Sequence, residues 1–167
     1  MGEDIFSGLT FPSPIKSVFD KVISIGWYDG TTSGVALDSR HSMAFRFDLL
    51  DFGPGQEVRV FALARLDLSA FNQIAELLSS FCKLSGQVAF VRWPSVLAEG
   101  QRLSLEMDAI LAHSGKPEFA IATNSMFENL LAAKPLTEAA RELLPAEFHD
   151  LPIGDFNFWQ TFLELPA

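Results

Sequence analysis

The fold is decided by the stretch WYDGTTSGVALDSRHSMAFRFDLLDFGPGQEVRVFALARLD, residues 27–67. Apolar runs in this stretch are separated by three short turns, at Asp29-Gly30, at 38–41 and at Gly53-Pro54-Gly55. Asp-Gly and Gly-Pro pairs are typical of tight turns, and short connections between strands favour antiparallel neighbours. With the β-forming run that ends at Trp27, the stretch therefore predicts a four-stranded antiparallel meander.

The side-chain pattern inside this stretch indicates which faces are buried. Met43, Phe45 and Phe47 fall on one face of the third strand, and the residues between them fall on the other face. The fourth strand, 57–65, has charges near its ends and an apolar centre on both faces. This pattern predicts that both faces of the sheet are covered at that point.

Outside the sheet, the apolar spacing changes to that of a helix. One apolar stripe predicts an amphipathic helix, and the residues of this stripe are Phe71, Ile74, Ala75, Leu78 and Phe81. The predicted N-cap of the helix is Asp67 or Ser69, and Gly86 lies just past its predicted end. Cys82 would lie on the apolar side of this helix, which favours a core thiol over a nucleophile. The helix is expected to cover one face of the meander.

The second half of the chain continues with shorter elements. Residues 87–93 and 119–123 predict strands, whereas 103–113 fits either a strand or a helix, with the good helix formers favouring a helix. Further short helices are predicted from Ser125, which opens a capping-box sequence, and from Thr137. The predicted class is α+β, an antiparallel β-meander of about four to six strands with helices packed mainly on one face. The whole of 1–167 is predicted to form one globular domain.

Composition limits the classes of partner. The net charge of −9, from 21 acidic and 12 basic residues, disfavours nucleic acid and anionic membranes and favours cationic partners. The chain has 16 Phe and one Tyr, so most of its rings are expected in the core or at an interface. The single cysteine and the acidic N-terminal sequence predict a cytoplasmic protein.

The three histidines, His41, His113 and His149, lie far apart in the sequence and show no metal-binding spacing. Phosphate-binding motifs such as GxGxxG are also absent from the sequence. We therefore predict neither a metal nor a cofactor.

The most suggestive candidate site is the segment 28–34, which combines a carboxylate, three aliphatic hydroxyls and two glycines at a predicted hairpin tip. Glycines permit close approach of a ligand to the backbone. The predicted binding residues are Tyr28, Asp29, Ser33 and Arg46. Asp-Gly and Ser-Gly are also ordinary turn pairs, and turn formation alone is the alternative interpretation.

The run from Ile25 to Gly30, followed by the run from Ser33 to Ala36, resembles a set of small uncharacterised bacterial proteins. Those proteins place Tyr-Asp-Gly at a strand end and Ser-Gly before the next strand, and a proline often replaces Thr31. The resemblance covers about a quarter of the chain. It implies a bacterial origin and a hairpin, and it implies no reaction.

Two functional hypotheses follow from the sequence. The first is a non-catalytic binding or regulatory module, such as an immunity- or antitoxin-like inhibitor of a cationic protein, which its charge and its aromatic ends favour. Those ends, 5–11 and 156–162, would contact a protein partner or a second copy of the chain, or else cover the sheet. The second is a small hydrolase or ligand-binding enzyme in which Asp29 is the general base and Arg46 or Arg40 is an anion clamp.

Overall fold

A computed structural model describes residues 19–27, 31–52, 59–85, 88–123, 146, 149–150 and 153–154. Eight strands and two helices occur in this part of the chain. In chain order they are β1 (Lys21–Trp27), β2 (Thr31–Asp38), β3 (Met43–Phe52), β4 (Arg59–Leu66), α1 (Leu68–Leu78), β5 (Cys82–Ser85), β6 (Val88–Val91), α2 (Leu97–Leu111), β7 (Pro117–Thr123) and β8 (Ile153–Gly154).

The strands form one sheet in the order β5-β6-β1-β2-β3-β4-β7-β8. Strands β1 to β4 pair antiparallel in succession, which confirms the predicted meander. The α+β class is also confirmed, but the described sheet has eight strands instead of the predicted four to six, and it is not a pure meander because it includes parallel pairs. The β5–β6 hairpin adds outside β1, where β6 runs parallel to β1, and β7 returns to β4 before β8 joins it in parallel.

One face of the sheet packs against both helices. A single buried cluster joins side chains of β1, β2 and β4 with α1 and α2, including Ile23, Val35, Leu66, Ile74 and Met107. Four members of the predicted stripe, Phe71, Ile74, Ala75 and Leu78, are buried on α1, as an amphipathic helix requires. This arrangement places the two described helices on the same face of the sheet.

The opposite face carries a second buried cluster rich in phenylalanine. Phe45 and Phe47 of β3 belong to it, together with Phe61 of β4, and Phe47 meets Phe61 edge to face with ring centroids 5.6 Å apart. Residues 60–64 of β4 are all buried, which confirms that both faces of the sheet are covered at this strand. The unusual phenylalanine content is thus partly explained by this cluster.

The predicted extension of α1 beyond Leu78 is wrong. The helix stops there, a single 3-10 turn spans Ser79–Phe81, and Cys82 begins strand β5. Pairing with β6, in which Cys82 faces Val91, outweighs the local helical pattern because it satisfies the backbone of both strands. Cys82 is therefore a strand residue. Asp67 is the N-cap residue of α1, although its side chain makes no capping hydrogen bond.

Two further boundaries differ from those expected. The favoured helix for the ambiguous segment 103–113 is confirmed over residues 103–111, but this helix, α2, begins earlier than expected, at Leu97, and buries Leu103, Met107 and Leu111 four residues apart. Strand β2 begins at Thr31, so the residues predicted as the end of a loop are largely strand. Within the described residues, neither helix is long and apolar enough to cross a membrane.

Several predicted features lie outside the described residues. They are the helices from Ser125 and Thr137 and the aromatic segments 5–11 and 156–162.

Candidate binding groove

A β-bulge shapes the end of β1 that leads into the candidate site. The register between β1 and β2 shifts between Ser24 and Gly26, so Ile25 is the extra residue. Trp93, which follows β6, donates its indole N–H to the carbonyl oxygen of Ile25 at 3.3 Å. Because β1 and β6 run parallel, Trp27 and Trp93 are brought to the same end of the sheet.

Three neighbouring strands present a row of different side chains beside this bulge. Lys83 of β5 lies opposite Phe90 of β6, and Phe90 lies opposite Ser24 of β1. Arg92 is two residues beyond Phe90 and so projects from the same face. Phe90 thus has the Ser24 hydroxyl on one side and Lys83 on the other, and Arg92 lies two residues further along from Phe90.

These residues enclose a groove of about 460 Å³, which we call the tryptophan groove. Its lining residues are Ser24, Ile25, Trp27, Lys83, Leu84, Phe90, Val91 and Arg92. Trp27 forms one wall, with its ring edge to face against Phe90 at a centroid distance of 5.4 Å. Trp27 remains 59% exposed, and the neighbouring Trp93 is 41% exposed. The volume lies within the usual range for a ligand site of roughly 300–1,000 Å³.

All three polar side chains that line the groove in the described part of the chain, Ser24, Lys83 and Arg92, can donate hydrogen bonds. Ser24 is buried and bonds the buried Thr31 hydroxyl at 2.9 Å. Neither Lys83 nor Arg92 has an ion-pair partner in the part of the chain that the structure describes. Both also line an adjoining cavity of about 550 Å³ with Ser80, Phe81 and Cys82. The groove can therefore hold an apolar group and, beside it, a negative charge.

The structure places two of the four predicted site residues near each other. Ser33 lies opposite Asp48 in the β2–β3 pair, and the Arg46 Nε donates to Asp48 Oδ2 at 3.1 Å. Ser33 and Arg46 consequently share one face of adjacent strands. Tyr28 and Asp29 lie outside the described residues. The proposed role of these four residues stays a prediction.

The turn between β2 and β3 contains a buried carboxylate. Asp38 is fully buried and accepts hydrogen bonds from the backbone N–H groups of Arg40 and His41, at 3.1 and 3.3 Å. The ring of His41 lies 2.7 Å from its second oxygen. Ser42 then adopts a φ of 52°. These contacts stabilise the turn between β2 and β3, which is a structural role for Asp38 and His41.

Cys82 fits a structural thiol. Burial raises the pKa of Cys82 from 9.0 to about 11, so the nucleophilic thiolate is scarce at neutral pH. The described residues contain no group of three or more His, Cys, Asp or Glu side chains that could hold a metal ion.

The tryptophan groove is not evident from the sequence because its residues come from strands separated by about sixty positions. A tryptophan at the end of each of two predicted strands, Trp27 and Trp93, was the available signal. They become informative only when the two strands are known to be parallel neighbours. Comparison of the chain with protein-family models, with curated proteins and with solved structures found no match.

Proposed function

We propose that this protein is a non-catalytic binding module that holds a protein partner at the tryptophan groove. The observation that carries the proposal is the pair of exposed tryptophans, Trp27 and Trp93, at a groove lined mainly by apolar side chains. Tryptophan is enriched among the residues that dominate binding energy at protein interfaces. Both indoles are held by contacts with their neighbours, so little conformational entropy is lost when a partner covers them.

Charge supports a regulatory role for the module. The net charge of −9 accelerates encounter with a partner of net positive charge. An inhibitor of a cationic protein, comparable with an immunity protein or an antitoxin, is the role that we favour. A second copy of the chain carries the same charge, so long-range electrostatics disfavours a homodimer as the main assembly.

A capture experiment tests this proposal. The wild-type chain, Trp27→Ala and Leu105→Ala are immobilised and exposed to lysate of the host cell, and captured proteins are quantified by mass spectrometry. Leu105 is a matched control because it is a large apolar residue, 70% exposed on α2 and outside the groove. We expect a stoichiometric partner of basic isoelectric point on wild type and on Leu105→Ala, and at least about tenfold less of it on Trp27→Ala.

The proposal fails if no stoichiometric partner is found, or if Leu105→Ala loses it equally. A partner that is acidic rather than basic would leave the binding module in place but contradict the proposed inhibition of a cationic protein.

The alternative function is a small hydrolase or ligand-binding enzyme that uses the segment 28–34. One observation favours it: Trp27 lines the groove, so Tyr28 and Asp29 follow directly in sequence from a groove residue. In this alternative Asp29 is the general base and Arg46 holds an anion. Turnover of an ester or amide library that is abolished in Asp29→Asn, with the fold unchanged by circular dichroism, would establish the enzyme in place of the module.

A further inference from the structure

The groove offers hydrogen-bond donors and positive charge without a carboxylate among its lining residues. Ser24 and Thr31 carry two hydroxyl donors, and the bond between them uses one of the two. Among the described residues, neither hydroxyl has a further partner. When Thr31 donates to Ser24, the Ser24 hydroxyl can donate to an acceptor in the groove.

The two cations are placed to share that acceptor. Lys83 and Ser24 lie on the two strands that neighbour Phe90, one on each side. Their backbones are therefore two strand spacings apart, roughly 10 Å. A lysine side chain can span much of that distance across the ring. Arg92 is a diagonal neighbour of Lys83 on the same face, and two like charges so placed are stabilised by an anion between them.

We propose that the tryptophan groove binds a carboxylate side chain of a protein partner, together with a large apolar side chain next to it in that partner's sequence. This inference rests on the proposed function and specifies the chemistry of the bound segment. The carboxylate accepts from Ser24, Lys83 and Arg92, while the apolar side chain packs against Trp27 and Phe90. Charge complementarity argues for this occupant, because among the described residues the groove is lined by two cations, Lys83 and Arg92, and by no carboxylate.

A partner that is basic overall is attracted by the whole molecule. A single local carboxylate on that partner then fixes its orientation, since any other part of the basic surface would bring like charges together at Lys83 and Arg92.

The test uses a displayed library of random octapeptides selected on the full chain, with Trp27→Ala as the counter-selection. An enriched peptide is synthesised with its acidic residue intact and with Glu→Gln or Asp→Asn, and both are titrated calorimetrically. The titrations are repeated with the double variant Lys83→Met/Arg92→Met. The control is Arg102→Met/Lys116→Met, which removes two exposed charges from outside the groove and so changes the net charge equally.

We expect enriched peptides to place Asp or Glu next to an aromatic or large aliphatic residue. Neutralising the acid should weaken binding to the wild type and to the control about tenfold, and to Lys83→Met/Arg92→Met less than about twofold. Peptides that require Trp27 but lack an acid, and that bind the double variant equally well, would overturn this inference alone. If no peptide prefers the wild type to Trp27→Ala, both this inference and the proposed function are contradicted.

The source of the carboxylate is tested by a competition arm. Hexanoate, a free carboxylic acid with an apolar chain, is titrated against the bound peptide. Displacement only far above the peptide's own dissociation constant is the expected result. Hexanoate binding as tightly as the peptide would show that the occupant is a small molecule, and would overturn the assignment to a protein segment.

Discussion

At the residue scale, Gly34 is a position in the described sheet where an added Cβ would collide with the backbone. It sits in β2 between Ser24 of β1 and Phe47 of β3. A Cβ there would lie 2.0 Å from the backbone carbonyl oxygen of Ile23 and 2.7 Å from the ring of Phe47. A backbone atom cannot move aside without disturbing the sheet, so the close approach of these strands requires glycine.

Gly34→Ala is therefore expected to lower the free energy of unfolding by about 3 kcal/mol or more. Gly100→Ala provides a control in α2, where the nearest atom to the added Cβ is 3.8 Å away. That control should raise the free energy of unfolding by about 0.5–1 kcal/mol, because alanine favours the helix. Urea unfolding followed by circular dichroism measures both. Equal effects of the two substitutions would contradict the packing described for Gly34.

Cys82 allows a second prediction at this scale. With a pKa of about 11 in place of 9.0, Cys82 has about a hundredfold less thiolate at pH 8 than it has in the unfolded chain. Alkylation by iodoacetamide should be slower by about that factor in the native protein than in concentrated urea at the same pH. Mass spectrometry of quenched samples gives both rates. Native labelling as fast as in urea would show an activated thiol instead of a structural one.

At the element scale, the structure shows which helices and strands could be predicted from the sequence pattern alone. The meander and α1 were predictable because their turns and apolar spacing are local in the sequence. Strand β5 was not, because four residues beginning at Cys82 carry too little periodicity and are stabilised by pairing with β6. The parallel β1–β6 pair and the return of β7 to β4 depend on contacts between distant parts of the chain. The groove depends on the same pairings.

Helix α1 gives the prediction that belongs to this scale. Ile74 is fully buried in the cluster that joins the helices to the sheet. Ile74→Ala should reduce the free energy of unfolding by about 3 kcal/mol through lost burial and the cavity left behind. Leu105→Ala on the exposed side of α2 should change the same quantity by less than about 0.5 kcal/mol. Chemical denaturation provides the comparison, and a similar effect of both substitutions would argue against the packing of α1 on this face.

At the scale of the whole molecule, one sheet connects strands from Lys21 to Gly154. The prediction of a single domain over 1–167 implies that the sheet and its flanking helices unfold together. Tryptophan fluorescence and far-ultraviolet circular dichroism should therefore give coincident urea transitions. Gly34→Ala should shift both curves to lower urea by the same amount. Two separate midpoints would mean that the chain consists of two independently folding parts.

The strand order also has a consequence for synthesis on the ribosome. Strands β1 to β4 emerge first, yet the partners of both outer strands, β6 and β7, are encoded later in the chain. Until these partners leave the exit tunnel, the nascent meander has two open edges that can pair with another nascent chain. Co-translational chaperone contact is therefore most valuable between the emergence of Leu66 and that of Thr123.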